Sequence, residues 1–88
     1  MTEEKFIELM ESNEDFDVSW EGCNVFSGLK IITKYLPKKG IEGAEHDIIY
    51  SVFISDLIDA GITEEDIVAL RKLNWMIDET NTGLACYV

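Results

Sequence analysis

Cysteine, histidine, proline and positive charge are all scarce in this chain, and each scarcity excludes something. Two cysteines occur in 88 residues, Cys23 and Cys86, far apart and in no Cys-x-x-Cys pair. A small secreted domain is usually held by four or more, so a disulfide scaffold is excluded. Both thiols are expected to be free and packed as small buried apolar residues. The lone histidine, His46, sits between Glu45 and Asp47 with no second histidine at metal-ligand spacing. A metal centre needs three or four converging ligands, so no metal and no cofactor are expected. The lone proline, Pro37, rules out a proline-rich linker. Seven basic residues against 18 acidic ones leave too little cationic surface to displace counterions from phosphate, so direct nucleic-acid binding is not expected. No apolar run approaches the ~18 residues of a membrane span. The opening Met1-Thr2-Glu3-Glu4-Lys5 has neither the basic start nor the apolar stretch of a secretory signal, and a cytoplasmic protein is expected.

Against these absences stands an apolar content of 47%, with 10% aromatic residues. That is too much for an acidic disordered tail, which lacks the surface to offset its ordering entropy. Residues 1–88 are read as one α+β domain, because the length allows no more than one. The net charge of −11 is uneven. Residues 1–21 carry eight acids and one lysine, 22–54 four lysines and three acids, and 55–88 seven acids, one arginine and one lysine. The middle is nearly neutral and the ends are acidic.

Periodicity places the elements. Thr2 can cap a helix running to Glu11, with Phe6, Leu9, Met10 and Asn13 on one stripe and Glu4, Glu8, Glu11 and Asp15 on another. Phe16, Val18 and Trp20 alternate with Asp15, Asp17, Ser19 and Glu21, which predicts a strand near 16–20 with an acidic wet face. Asn24 is expected to cap a helix over 24–36 that Pro37 ends. Its wide apolar stripe predicts the most buried helix, lying across the sheet. Gly28 inside it costs about 1 kcal/mol relative to alanine and points to a close approach by another backbone, or to a later helix start. Residues 38–47 read as a loop and 48–54 as a central strand covered on both faces. Ser55 caps a short helical turn stopped by Gly61, and Thr63 caps a helix over 63–74. Strands near 75–79 and 84–88 close a hairpin through Thr80-Asn81-Thr82-Gly83. The expected fold is thus α+β, a small antiparallel sheet of about four strands packed by two to three helices, with an acidic N-terminal helix.

Catalytic patterns are thin. A Cys–His pair would need Cys23 or Cys86 brought to His46. Cys23 lies at a helix N-terminus, which lowers a thiol pKa, but the acidic chain raises it. Lys38-Lys39-Gly40-Ile41-Glu42-Gly43 matches neither Gly-rich phosphate pattern. The helix pair 55–73 resembles a helix-turn-helix in outline, yet its second helix opens with Glu64-Glu65-Asp66, which would repel DNA.

The remaining signal is the acidic tract itself. Glu4, Glu8, Glu11, Asp15, Asp17 and Glu21 form the candidate partner-binding surface, and a basic protein surface is the expected partner. The expected function is non-catalytic binding, in its sharpest form inhibition of a basic nucleic-acid-handling protein by carboxylates standing where phosphates lie. Small acidic antagonists of phages and mobile elements are similar in size and charge, a likeness of composition and not of motif. Two alternatives stand beside it. One is a homo-oligomeric structural or assembly protein, a homodimer included, motivated by nine aromatics and a strand apolar on both faces. The other is a small cysteine- or metal-dependent enzyme formed at an oligomer interface.

Overall fold

A computed structural model of the chain describes residues 1–12 and 21–87. Its elements are α1 (Glu3–Met10), α2 (Asn24–Tyr35), β1 (Gly43–Glu45), β2 (Ile48–Phe53), α3 (Ile54–Asp59), α4 (Glu64–Lys72), β3 (Trp75–Ile77) and β4 (Gly83–Tyr87). The four strands form one antiparallel sheet in the order β1-β2-β4-β3, so the fold is α+β. The strand expected near 16–20 lies outside the described residues.

Side-chain caps set several boundaries. Thr2 Oγ1 accepts from Lys5 N at 3.1 Å to start α1. Thr63 Oγ1 accepts from Asp66 N at 3.2 Å to start α4. The end of α3 is a left-handed C-cap: Gly61 takes φ 87°, Gly61 N donates to Ile58 O and Ile62 N to Leu57 O. This pairing needs a positive φ that glycine adopts without strain.

Several expectations are corrected. The segment read as a loop contains β1, which pairs with β2 through Gly43↔Tyr50, Ala44↔Ile49 and Glu45↔Ile48. Gly-Ala-Glu has little β tendency of its own, so the order comes from the β2 edge that templates it. The cap of α2 is Cys23 rather than Asn24, with Cys23 Sγ accepting from Phe26 N at 3.5 Å. Asn24 is occupied elsewhere: its amide donates to Leu73 O at 2.9 Å and to Cys86 Sγ at 3.4 Å. Ser55 does not cap α3; Phe53 precedes that helix without a side-chain cap, and Ile54 joins the helix rather than β2. The β3–β4 loop is 78–82, because β4 already begins at Gly83. Within that loop Asp78 Oδ1 accepts from Thr80 N, Thr82 N and Thr80 Oγ1.

The core lies on one face of the sheet. Phe6 and Met10 of α1, Ile32 of α2, Leu57 of α3 and Ile67 and Leu70 of α4 pack with Trp75, Leu84 and Cys86. Burying each such side chain contributes roughly 1.5–3 kcal/mol. Helix α2 is less buried than its sequence predicts. Of its residues only Gly28 and Ile32 are buried, and Phe26 is 61% exposed. The approach at Gly28 is made by a side chain, not a backbone. A β-carbon there would lie 2.0 Å from Trp75 Nε1, whose N–H donates to Asn24 O at 3.1 Å.

Candidate functional site

Helix α1 owes its position to α4. Phe6 and Met10 anchor its inner face in the core. Its last turn contains no basic residue, so its C-terminal carbonyls need a donor from elsewhere. Arg71 of α4 supplies one: its Nε donates to Met10 O at 3.0 Å and its guanidinium also donates to Ser12 O. A cation at a helix C-terminus is favoured by the helix dipole as well as by the hydrogen bonds.

This docking turns Glu4, Glu8 and Glu11 outward. At the helical period they lie opposite Phe6 and Met10, and all three are exposed. No ion pair joins them to a cation among the described residues. Like charges at i, i+4 and i, i+3 destabilise a helix by about 0.2–0.5 kcal/mol per pair. The row therefore persists at a cost, partly offset by Glu3 and Glu4 at the positive end of the dipole.

Two further acids lie on α4 beside the apolar edge of α1. An open groove of about 470 Å³ separates α1 from α4, lined by Leu9, Glu64, Glu65, Val68 and Lys72. Lys5 Nζ of α1 lies 3.9 Å from Glu64 Oε1 of α4, a loose contact between exposed side chains. Glu64 and Glu65 read from sequence as helix-capping charges alone, because no spacing rule relates them to residues sixty positions away. Of the other expected binding residues, Glu21 is exposed in the bend before α2, and among the described residues no hydrogen bond or ion pair joins it to α1. Asp15 and Asp17 lie outside the described residues.

The groups considered for catalysis are apart in role. Cys23 is exposed, which corrects the expectation of a buried thiol, and Cys86 is buried. Burial pushes the Cys86 thiol up, against the lowering effect of the Asn24 amide, while Cys23 adds to the rise. His46 is exposed at φ 52° in the two-residue turn between β1 and β2. Among the described residues no hydrogen bond joins it to either cysteine, and no three His, Cys, Asp or Glu side chains are grouped to hold a metal ion. Among the same residues no helix is long and apolar enough to cross a membrane.

A second charged network is structural. Asp66 accepts from Lys34 Nζ at 2.6 Å and from the Tyr35 hydroxyl, and Thr63 N donates to that hydroxyl at 3.4 Å. The Lys34 hydrogen bond first, then that of Tyr35, holds the Asp66 carboxyl below its ordinary range. These contacts tie the end of α2 to the start of α4.

Comparison with protein-family models, with curated proteins and with solved structures gives no match.

Proposed function

We propose that the chain is a non-catalytic binding protein whose acidic α1 face docks on a basic surface of a partner protein. In its sharpest form the partner handles nucleic acid, and the carboxylates occupy the places of phosphates and inhibit it. The observation that supports this is the row Glu4, Glu8 and Glu11, exposed and without an ion pair among the described residues, on a helix whose C-terminal end is held by Arg71. With a rise of about 1.5 Å per residue, the row presents one carboxylate about every 5 Å. A DNA strand presents one phosphate about every 3.4 Å, so the helix is sparser but of the same order. Glu64 and Glu65 across the groove widen the negative field. Two free thiols suit a reducing compartment such as the cytoplasm.

The test uses proteins of the source cell that heparin retains, passed over immobilised wild-type chain and over the triple variant E4K/E8K/E11K. A true partner is held by the wild type, released by salt, freed of bound DNA by the chain, and not held by the variant. Equal retention on both surfaces, or retention without displacement of DNA, counts against the reading.

A further inference from the structure

The sheet has a second face that the core does not use. Register fixes which residues share it: Ile48↔Tyr87, Tyr50↔Ala85 and Met76↔Ala85 are cross-strand partners on one side, while Cys86, opposite Ile49 and Trp75, points to the core side. The apolar residues on both faces of β2 predict cover on each; among the described residues the helices pack on one. Ala85 is 1% exposed yet belongs to no part of the core cluster. Its cross-strand partners on that face are the larger side chains Tyr50 and Met76. Those side chains enclose a concavity of about 250 Å³, lined by Ile48, Tyr50, Met76, Ala85 and Tyr87, with Asp78 and Glu79 at its margin. Glu45, exposed at the end of β1, pairs with Ile48 beside it. Among the described residues no lysine or arginine lines it.

We propose that this concavity is a socket for an arginine side chain carried by a partner protein. The charge argument selects the sign of the occupant: Glu79 lines an apolar floor, Asp78, whose carboxylate is held by Thr80 and Thr82 in the β3–β4 loop, adds to the negative field, and Glu45 lies beside it on β1. The tyrosines select its shape. A guanidinium is planar, stacks on aromatic faces and directs donors sideways to carboxylates, whereas an ammonium is a compact and strongly hydrated point charge. Size selects its carrier: small-molecule pockets begin at about 300 Å³, and this one is smaller. Tyr87, 56% exposed, has the amphipathic character of an interface anchor. A second copy of the chain fits poorly, because a two-fold pairing of this face would set Glu45, Asp78 and Glu79 against their own counterparts. Partial burial, then Glu79, Glu45, Asp78 and Tyr87, raise the Tyr50 hydroxyl above its ordinary pKa, as a negative field at the socket requires.

The socket lies across the sheet from α1, so it stands or falls independently of the α1 surface. The test is an amide chemical-shift titration of the whole chain with a blocked Gly-Gly-Arg-Gly-Gly peptide. Its neutral isostere with citrulline and free agmatine serve as further arms. The expected result is saturable shifts at Tyr50, Met76, Ala85 and Tyr87, at least tenfold weaker with citrulline, and retained in E4K/E8K/E11K. Tyr87→Ala and Glu79→Gln, both at exposed positions, are each expected to weaken binding at least fivefold. Equal response to citrulline, shifts that follow α1 instead, or no shifts overturn the proposal. So does agmatine binding as tightly as the peptide, which would make the occupant a small guanidine. Sedimentation showing a dimer that Tyr87→Ala dissolves would make the face a self-interface and also overturn it.

Discussion

Replacing Gly28 by alanine tests the packing of α2 with an opposite sign for each outcome. On an open helix surface this change stabilises by about 1 kcal/mol through helix propensity. At Gly28 the new methyl would sit 2.0 Å from Trp75 Nε1, 2.3 Å from Cε2 and 2.8 Å from Cδ1. Those separations are far inside van der Waals contact, and Trp75 is only 2% exposed, so it cannot swing freely into water. Either α2 lifts off the sheet or the indole turns and gives up its bond to Asn24 O. Overpacking costs about 1–3 kcal/mol and a lost hydrogen bond about 0.5–1.5 kcal/mol. After the propensity gain, a net loss of about 2 kcal/mol is expected. For a domain of this size that lowers the melting temperature by roughly 8–16 °C. Urea denaturation followed by far-UV ellipticity measures it. A double-mutant cycle with Trp75→Phe should show a coupling of at least about 1 kcal/mol. An unchanged or raised stability in Gly28→Ala, or strict additivity in the cycle, would refute the close approach of α2 to Trp75.

Two further outcomes follow from side-chain environments. Cys23 is exposed and Cys86 buried, so a thiol reagent should modify one cysteine per native chain and two after unfolding; two fast reactions in the native state would contradict the β4 packing. The Asp66 carboxyl is held below its ordinary value of 3.8, chiefly by Lys34 and then Tyr35. A depressed carboxylate contributes stability above its unfolded pKa and loses it as pH falls through the folded one. Wild type should therefore lose stability more steeply than Asp66→Asn below about pH 4. At neutral pH Asp66→Asn should be the less stable of the two. Parallel acid limbs would show that the network contributes nothing.

Local chemistry was legible where the deciding residues are neighbours in sequence. Thr2 and Thr63 cap the helices that their spacing marks, and Gly61 stops α3 where a positive φ is needed. Richness in β-branched and aromatic residues marked β2, and the turn residues between two apolar runs marked the β3–β4 hairpin. What escaped is what the rest of the chain decides. Asn24 is the better capping residue by type, but Leu73 O and Cys86 Sγ claim its amide, and Cys23 takes the cap. Phe26 widens the apolar stripe of α2 on paper, yet it lies roughly 160° around the helix from Gly28, where the sheet is met. Strand β1 exists because β2 offers an edge. The acidic row of α1 was legible from its period, whereas Glu64 and Glu65 come to lie beside Leu9 only because Arg71 and the core dock α1 against α4.

The central claim is that α1 steers the chain onto a basic partner, and the association rate constant tests it most directly. The three reversals in E4K/E8K/E11K move two charges each and take the chain from −11 to −5. The rate is to be measured for wild type and variant with the captured partner, from about 0.01 M to about 0.15 M salt. Over that range the screening length falls from about 30 Å to about 8 Å. Steering by α1 requires a wild-type rate that falls steeply with salt, a variant at least tenfold slower at low salt, and convergence of the two as salt rises. Equal rates with equal salt dependence would contradict it.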